Sequence, residues 1–250
     1  MERQLDVSTW RPRHVVTVPL DPSAPTALVS GFVAVVAARL LSEPIIAVEP
    51  SLDRRLTQLV GARADGNLSR LAKDAPALHQ RHVVDTYIDF ATTTAVPACS
   101  PDSTEVIPPD GFAAALDALK RRHRGTIVDI SPDIADALLA PAVRSAGVVV
   151  AVATTPEPPP WLFSTPNPLT RFFDAGLLSI VHPFNAGTPA TYNRYNVDVP
   201  SFPLGIRMNP EGTSNIPTNG AVLSMDRADD QMIDNAVQLA QQLFAPQGER

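Results

Sequence analysis

The sequence predicts an α/β protein with a doubly wound, mostly parallel sheet flanked by helices, and three observations carry that expectation. Short β-branched runs alternate with helical patterns along most of the chain. Several of these runs, such as "TIVDIS" and "GVVVAVA", are apolar throughout, as strands covered on both faces are. With 44% hydrophobic and 18% charged residues over 250 positions, the chain has ample material for a core and is not globally disordered. No internal repeat or clean linker divides it, so residues 1–250 read as one α/β domain with an N-terminal extension over 1–13.

The elements follow in order. "HVVTV" at 14–18 reads as a strand, and a helix over about 26–41 follows it. That apolar run, Ala27 to Leu41, contains Ser30, Gly31 and Arg39 and falls short of the ~20 residues of a membrane crossing, so it is a buried helix. "PIIAVE" (44–49) is a second strand. In "SLDRRLTQLVG", Leu52, Leu56 and Leu59 recur at helical spacing and Gly61 is a stop. "GNLSRLAKD" predicts a short helix capped at Asn67, whereas residues 77–90 mix helix and strand signals. "TTAVPAC" (93–99) is a short strand that Pro97 keeps away from the sheet centre.

Phe112, Leu116 and Leu119 share one face of a helix ending in "KRRHR". "GTIVDIS" (125–131), a helix over about 133–145, "GVVVAVA" (147–153) and "LLSIVHP" (177–183) continue the alternation. Residues 155–168, "TPEPPPWLFSTPNP", carry too many prolines for an ordinary helix or a central strand. Residues 184–203 read as a long loop. An amphipathic helix from about Asp226 closes the chain, with Met232, Ile233, Ala236, Val237, Ala240, Leu243 and Phe244 on one stripe.

Composition narrows the function classes. Twenty-six prolines imply stiff, numerous loops. A formal charge of −6 disfavours a broad nucleic-acid surface, which needs clustered cations. Cys99 is the one cysteine, so there is no intramolecular disulfide and no cysteine-rich zinc site, which suits a reducing compartment. "MERQLDVSTWRPRH" lacks the apolar core of a secretory signal, and the expectation is a cytoplasmic protein without membrane insertion.

The stretch "TVPLDPSAPTALVSGFVAVVAARLL" (17–41) has the strand–loop–helix frame in which glycine-rich loops hold phosphate. Its loop, "LDPSAPTA", holds neither glycine nor lysine. Pro22 and Pro25 each delete a backbone donor, and Asp21 adds an anion. A carboxylate at about 4 Å repels each phosphate charge by roughly 1–4 kcal/mol, more than the ~0.3–1 kcal/mol an exposed helix terminus supplies. The loop is therefore expected to fill the hollow, with Ser23 or Thr26 capping the helix, and conventional Mg-ATP binding is expected to fail.

The order of pieces resembles the ParA/MinD-type ATPases, the deviant P-loop branch. "DPSAPTAL" (21–28) stands where that family has K-G-G-x-G-K-T-[ST]. "VEPSLDRRL" stands at the family's strand ending in D-x-D-P, with Leu56 matching its leucine. "TIVDIS" supplies the apolar strand ending in aspartate, Asp129, and "SAGVVVAVATTP" the strand beyond it; "FPLGIRMNP" and the last helix resemble the family's late strand, loop and closing helix. The likeness spans about residues 14–245.

The resemblance implies a P-loop NTPase-like fold, and places the signature lysine at Asp21, the P-loop lysine at Thr26 and the metal-binding hydroxyl at Ala27. Glu49 and Ser51 fall at the family's two aspartates after the second strand, and His182 at an asparagine that reads adenine. It thus implies a pseudo-ATPase with a degenerate loop (Asp21, Pro22, Ser23, Ala24, Pro25, Thr26, Ala27) and no cofactor. Such a chain would be a scaffold or adaptor that binds itself or a ParA/MinD-like relative in segregation, conjugation, secretion or phage machinery. One alternative is an active hydrolase holding ATP and Mg at a rebuilt site of Asp129 and Glu49; another is nonspecific DNA binding through "KRRHR".

Other candidates have plain structural readings. Asp129 also reads as a cap for the following helix or turn. His79 and His82, with Asp85 in "HQRHVVD", fall short of three or four convergent ligands, and no metal site is expected. "KRRHR" complements a helix C-terminus. No G-x-S-x-G elbow exists, and neither Ser131 nor Ser164 has the context of an activated nucleophile. Prolines 156 and 158–160 favour an extended stretch leading to Trp161, Leu162 and Phe163, an apolar trio that either covers the sheet edge or forms a partner-binding tip.

Overall fold

The valine-rich run His14–Pro19 (β1) lies inside an eight-stranded sheet, between two parallel neighbours, which is why it shows no polar alternation. The computed structural model describes residues 7–63, 67–78, 80–90, 93–102, 104–155, 157–164, 166–194, 197–209, 212–213 and 215–246. After β1 come α1 (Thr26–Leu40), β2 (Ile46–Val48), α2 (Arg55–Leu59), α3 (Leu68–Asp74), β3 (Ala98–Cys99) and α4 (Pro109–Arg122). The chain continues through β4 (Thr126–Asp129), α5 (Ala135–Ser145), β5 (Val148–Val152), α6 (Trp161–Ser164), α7 (Thr170–Asp174) and β6 (Leu178–His182). Next are β7 (Ala190–Arg194) and β8 (Val197–Pro203), the two-residue strands β9 (Met208–Asn209), β10 (Gly212–Thr213), β11 (Thr218–Asn219) and β12 (Val222–Leu223), and α8 (Asp230–Phe244). The large sheet runs β3-β2-β4-β1-β5-β6-β8-β7, with only the β7–β8 pair antiparallel. Among the described residues no helix is long and apolar enough to cross a membrane.

Alternate strand residues feed two cores. Val15, Ile127, Val148, Val150 and Val152 pack with α1 and α8 on one face. Val16, Val18, Val128, Val149 and Ala151 pack with α3, α4, α5 and α7 on the other. Helix α1 is buried from Thr26 through Ala37, because α2, α8 and β12 cover the sides that the sheet leaves free. Gly31 permits that enclosure: a Cβ there would stand 2.7 Å from Leu223 Cδ1. The stripe of α8 buries Met232, Ala236, Ala240, Leu243 and Phe244. It starts later than the pattern near Asp226 implies, since Asp229 accepts a 2.8 Å bond from Met232 N–H and caps the helix there.

Several expectations are corrected. Residues 184–203 are not a long loop but contain the β7–β8 hairpin that extends the sheet. The prolines hid it: Pro200 faces only Thr191 of β7, and pairing of β8 with β6 begins at Ser201, so the missing N–H falls where no second strand needs it. Leu52 is 38% exposed and lies outside α2, because Arg54 takes a left-handed conformation (φ 53°) that a helix cannot pass through. Gly61, at φ 69°, follows the C-cap Val60 and stops helix α2 as expected. Asn67 makes no side-chain cap on α3. Residues Arg81–Tyr87 form 3₁₀ turns that bury Val84 and Tyr87, whose hydroxyl donates to Asp74 at 2.8 Å.

The Pro-rich segment contains a single helical turn, α6, and its apolar trio is not presented as one tip. Leu162 is 2% exposed in the core, Phe163 stands edge-on to Phe173 at 5.4 Å, and Trp161 alone remains 42% exposed. Consecutive residues on a helix point about 100° apart, so three in a row cannot share one face. Pro156 lies outside the described residues, as does His79; Asp85 is bound by Arg122 and His123 rather than left facing His82.

Candidate functional site

Strand β1 leads by α1 toward the β2 side of the sheet, whereas its neighbour β5 leads on to β6. The connections therefore diverge beyond the carboxyl ends of these strands, the place where doubly wound sheets leave a ligand crevice. A cavity of about 740 Å³ opens at this end of the sheet, over β1, β4 and β2 rather than β5, walled by the 22–28 segment, the ends of β2 and β4, part of α2 and Ile216. The hollow expected to be filled is open. The acid thought to occupy it turns away: Asp21 accepts bonds from Thr154 N–H (2.8 Å) and from the Ser23 N–H (3.0 Å) and Oγ–H (2.7 Å), fastening the loop to the end of β5. Burial works against the Asp21 charge, but these bonds outweigh it and hold the carboxyl below its ordinary range.

The loop has few amide donors to offer the hollow. Pro22 and Pro25 have no N–H, Ser23 N–H goes to the Asp21 side chain, Ala24 N–H to the Asp21 carbonyl (3.1 Å), and Thr26 N–H to the Ala24 carbonyl (2.9 Å). Every amide from 22 through 26 is absent or used within the loop. The expected side-chain cap is also missing: Pro25 occupies the N-cap of α1, the Ser23 hydroxyl serves Asp21, and the Thr26 hydroxyl is buried without a hydrogen bond.

Beneath α1 lies a buried polar patch. Asp129 is fully buried at the end of β4; Ser30 Oγ–H donates to its Oδ1 at 3.0 Å, and its Oδ2 has no partner. Its register neighbour on β1, Thr17, is likewise a buried hydroxyl without a partner. Burial, then the nearby Glu49 charge, push the Asp129 carboxyl up to about 7, with the Ser30 and Thr26 hydroxyls opposing. The Thr26 hydroxyl lies near enough to Asp129 to favour that charge. Asp129 is not a helix cap, since α5 begins beyond Ile134 with no side-chain bond.

Glu49 has a different task. Its Oε1 accepts from Leu56 N–H (2.9 Å), and its Oε2 from Thr57 N–H (2.8 Å) and Oγ–H (2.7 Å), so it anchors the start of α2. Burial raises its carboxyl above the ordinary range while the Thr57 and Leu56 bonds oppose. Asp129 and Glu49 thus share a cavity wall but not a ligand shell, and no group of three or more His, Cys, Asp or Glu that could hold a metal occurs among the described residues. Ser51 donates to Asp133 at 3.2 Å, and Asp53 pairs with Arg55 at 3.4 Å on the rim.

The remaining candidates lie elsewhere. His182 is buried, with Nε2 3.2 Å from the Tyr192 hydroxyl. In "KRRHR", Lys120 donates to the Ser145 carbonyl, Arg122 and His123 meet Asp85, and Arg124 meets Glu43. Sequence reasoning passed over Ser30, Thr17, Asp53, Arg55 and Asp133. A signal existed for Ser30, which lies four residues after Thr26 and so on the same face of an otherwise apolar helix.

No protein-family profile matches the chain, and no curated protein matches it. Solved structures do. The chain is similar to a ParA family ATPase from Chlorobium tepidum TLS at 13% identity and a TM-score of 0.53, over 71% of this chain and 76% of that one. It is also matched to the kinase domain of the Escherichia coli tyrosine kinase ETK at 15% identity and a TM-score of 0.45, over 76% of this chain and 74% of that one. The first likeness, with the strand order above, defines the class: a ParA-like, P-loop NTPase-like fold with a mostly parallel sheet.

Proposed function

We propose that this chain is a non-catalytic ParA/MinD-like protein, a pseudo-ATPase that works as a protein-binding scaffold or adaptor. One observation carries the reading: in the segment where a phosphate cradle needs inward amides, every N–H from residue 22 through 26 is missing or bonded inside the loop. The charges agree. Among the described residues, Glu49, Asp53, Asp129 and Asp133 line the cavity against one cation, Arg55, and each ionised carboxylate near 4 Å repels a phosphate charge by roughly 1–4 kcal/mol. The partner is a second copy of the chain or a ParA/MinD-like relative, met without a bridging nucleotide. Trp161, exposed beside a buried Leu162, is a contact candidate for that interface.

Calorimetric titration of the full chain with Mg-ATP and Mg-GTP tests the reading, with light scattering in parallel. The expected result is no saturable binding tighter than about 1 mM and a dimer stable to dilution. Tight Mg-ATP binding, with turnover lost in Asp129→Asn, would instead establish a hydrolase with a rebuilt site.

A further inference from the structure

Two neighbouring helices carry opposite charge at opposite ends. α4 and α5 pack side by side on one face of the sheet, and both run from the carboxyl ends of the strands toward the amino ends. α4 has Asp110 in its first turn and Lys120, Arg121 and Arg122 in its last, and α5 has Asp136 in its first turn and Arg144 in its last. Asp133 joins the acidic end from the turn before α5. Arg171 joins the basic end: it donates to the Val143 carbonyl, as Lys120 does to that of Ser145, so both close on the last turn of α5. Asp110, Asp133, Asp136, Lys120, Arg121, Arg144 and Arg171 are all exposed, and among the described residues none of them forms a salt bridge. The charges around them are already matched: Arg122 and His123 with Asp85, Arg124 with Glu43, Asp53 with Arg55, and Glu105 with Lys73.

Helix dipoles do not absorb this charge. A helix end carries about half an elementary charge. The two C-termini therefore offset about one of the four cations Lys120, Arg121, Arg144 and Arg171, and Asp174 at the end of α7 offsets another, which leaves about two positive charges. The two N-termini offset about one of the three carboxylates, which leaves about two negative charges at the other end. The ends do not cancel through solvent, because α4 is about 21 Å long and physiological salt screens charge over about 8 Å. His14, at the start of β1, registers the positive field: burial, then Lys120 and His123, push its imidazole down to about 4.

We propose that copies of this chain meet head to tail, the basic end of α4 and α5 in one copy against the acidic end of the same two helices in the next. Each end repels its own kind, so the contact is not two-fold. A heterologous contact of this type extends into rings or open filaments. It lies apart from the 22–26 loop, needs no nucleotide, and adds to the dilution-stable dimer proposed above. Exposed ion pairs are individually weak, so the assembly is sensitive to salt. A nucleic-acid duplex is the poorer occupant of the basic end. It carries a charge every ~1.7 Å of its axis and would be drawn across Asp85, Glu43 and Asp174, whereas the acidic end is a compact patch that matches the basic one in size and charge.

The test is sedimentation velocity on the full chain without nucleotide. At about 20 mM salt, where screening reaches only to roughly 20 Å, the mass should grow with concentration beyond a dimer, and at about 500 mM salt it should fall back to the dilution-stable species. Two double variants, Arg121→Glu with Arg144→Glu and Asp110→Lys with Asp136→Lys, should each abolish the growth. Mixing the two should restore it, since the altered ends are then complementary again, and circular dichroism checks that both are folded. Mass independent of salt, growth that persists in either variant alone, or folded variants that restore nothing on mixing overturns the contact. Binding of a nonspecific DNA duplex that Arg121→Glu with Arg144→Glu abolishes, without salt-sensitive growth of the wild type, assigns the basic end to nucleic acid and overturns it too. A monomer at high salt removes the proposed dimer alone, and Mg-ATP binding removes the pseudo-ATPase reading alone, so neither failure is mistaken for that of the head-to-tail contact.

Discussion

Replacing Asp129 by asparagine should stabilise the protein, and only above mildly acidic pH. The wild-type carboxyl is raised from 3.8 to about 7. Between about pH 4 and about pH 7 the folded chain therefore holds a proton that the unfolded chain has released, and stability falls as pH rises through that window. Above both values the full cost is present: at about 1.4 kcal/mol per pH unit, it comes to about 4 kcal/mol. Asparagine has no such proton, and its Oδ1 still accepts the Ser30 hydroxyl. Its amide, if unmet, adds a constant penalty of about 1–3 kcal/mol, so the informative quantity is the pH dependence of the difference. Urea denaturation of both proteins at about pH 4.5 and about pH 8.5 measures it. The stability difference should move in favour of the variant by a few kcal/mol between the two. Parallel pH profiles would refute the reasoning, because they would mean that Asp129 is solvated or paired with a cation.

Other substitutions read other parts of the structure. Glu49→Gln places an amide donor against Thr57 N–H and should cost about 1–3 kcal/mol in the urea midpoint, with α2 loosening first by hydrogen exchange. Gly61→Ala puts a Cβ on the Thr93 hydroxyl at φ 69° and should destabilise by about 1 kcal/mol or more in thermal melts. Leu162→Ala should cost about 2–5 kcal/mol as a core truncation. Trp161→Ala should leave the melt nearly unchanged while weakening self-association in light scattering; an unaltered dimer would remove Trp161 from the interface.

Much of the sheet is legible in the sequence because its inner strands are short, β-branched and apolar on both sides. β1, β4 and β5 sit where "HVVTV", "TIVD" and "VVVAV" place them. The β7–β8 hairpin is not legible, since Pro200 and Pro203 mimic a loop unless the register of the neighbouring strand is known. The site divides in the same way. That the 21–28 segment lacks glycine, lysine and two amides follows from residue identity. That Asp21 bonds to Thr154, 133 positions away, and so leaves the hollow open, does not.

The sequence by itself determined the alternation of elements, the absence of glycine and lysine from the 21–28 segment and the acidic balance, because these depend on residue type and local spacing. The tertiary structure alone decided that the hollow persists, that Glu49 anchors α2 and that Asp129 is left with an unmet oxygen. Each of those outcomes turns on which distant donors reach a given carboxylate, and that is set by how helices and strands pack, not by their order along the chain.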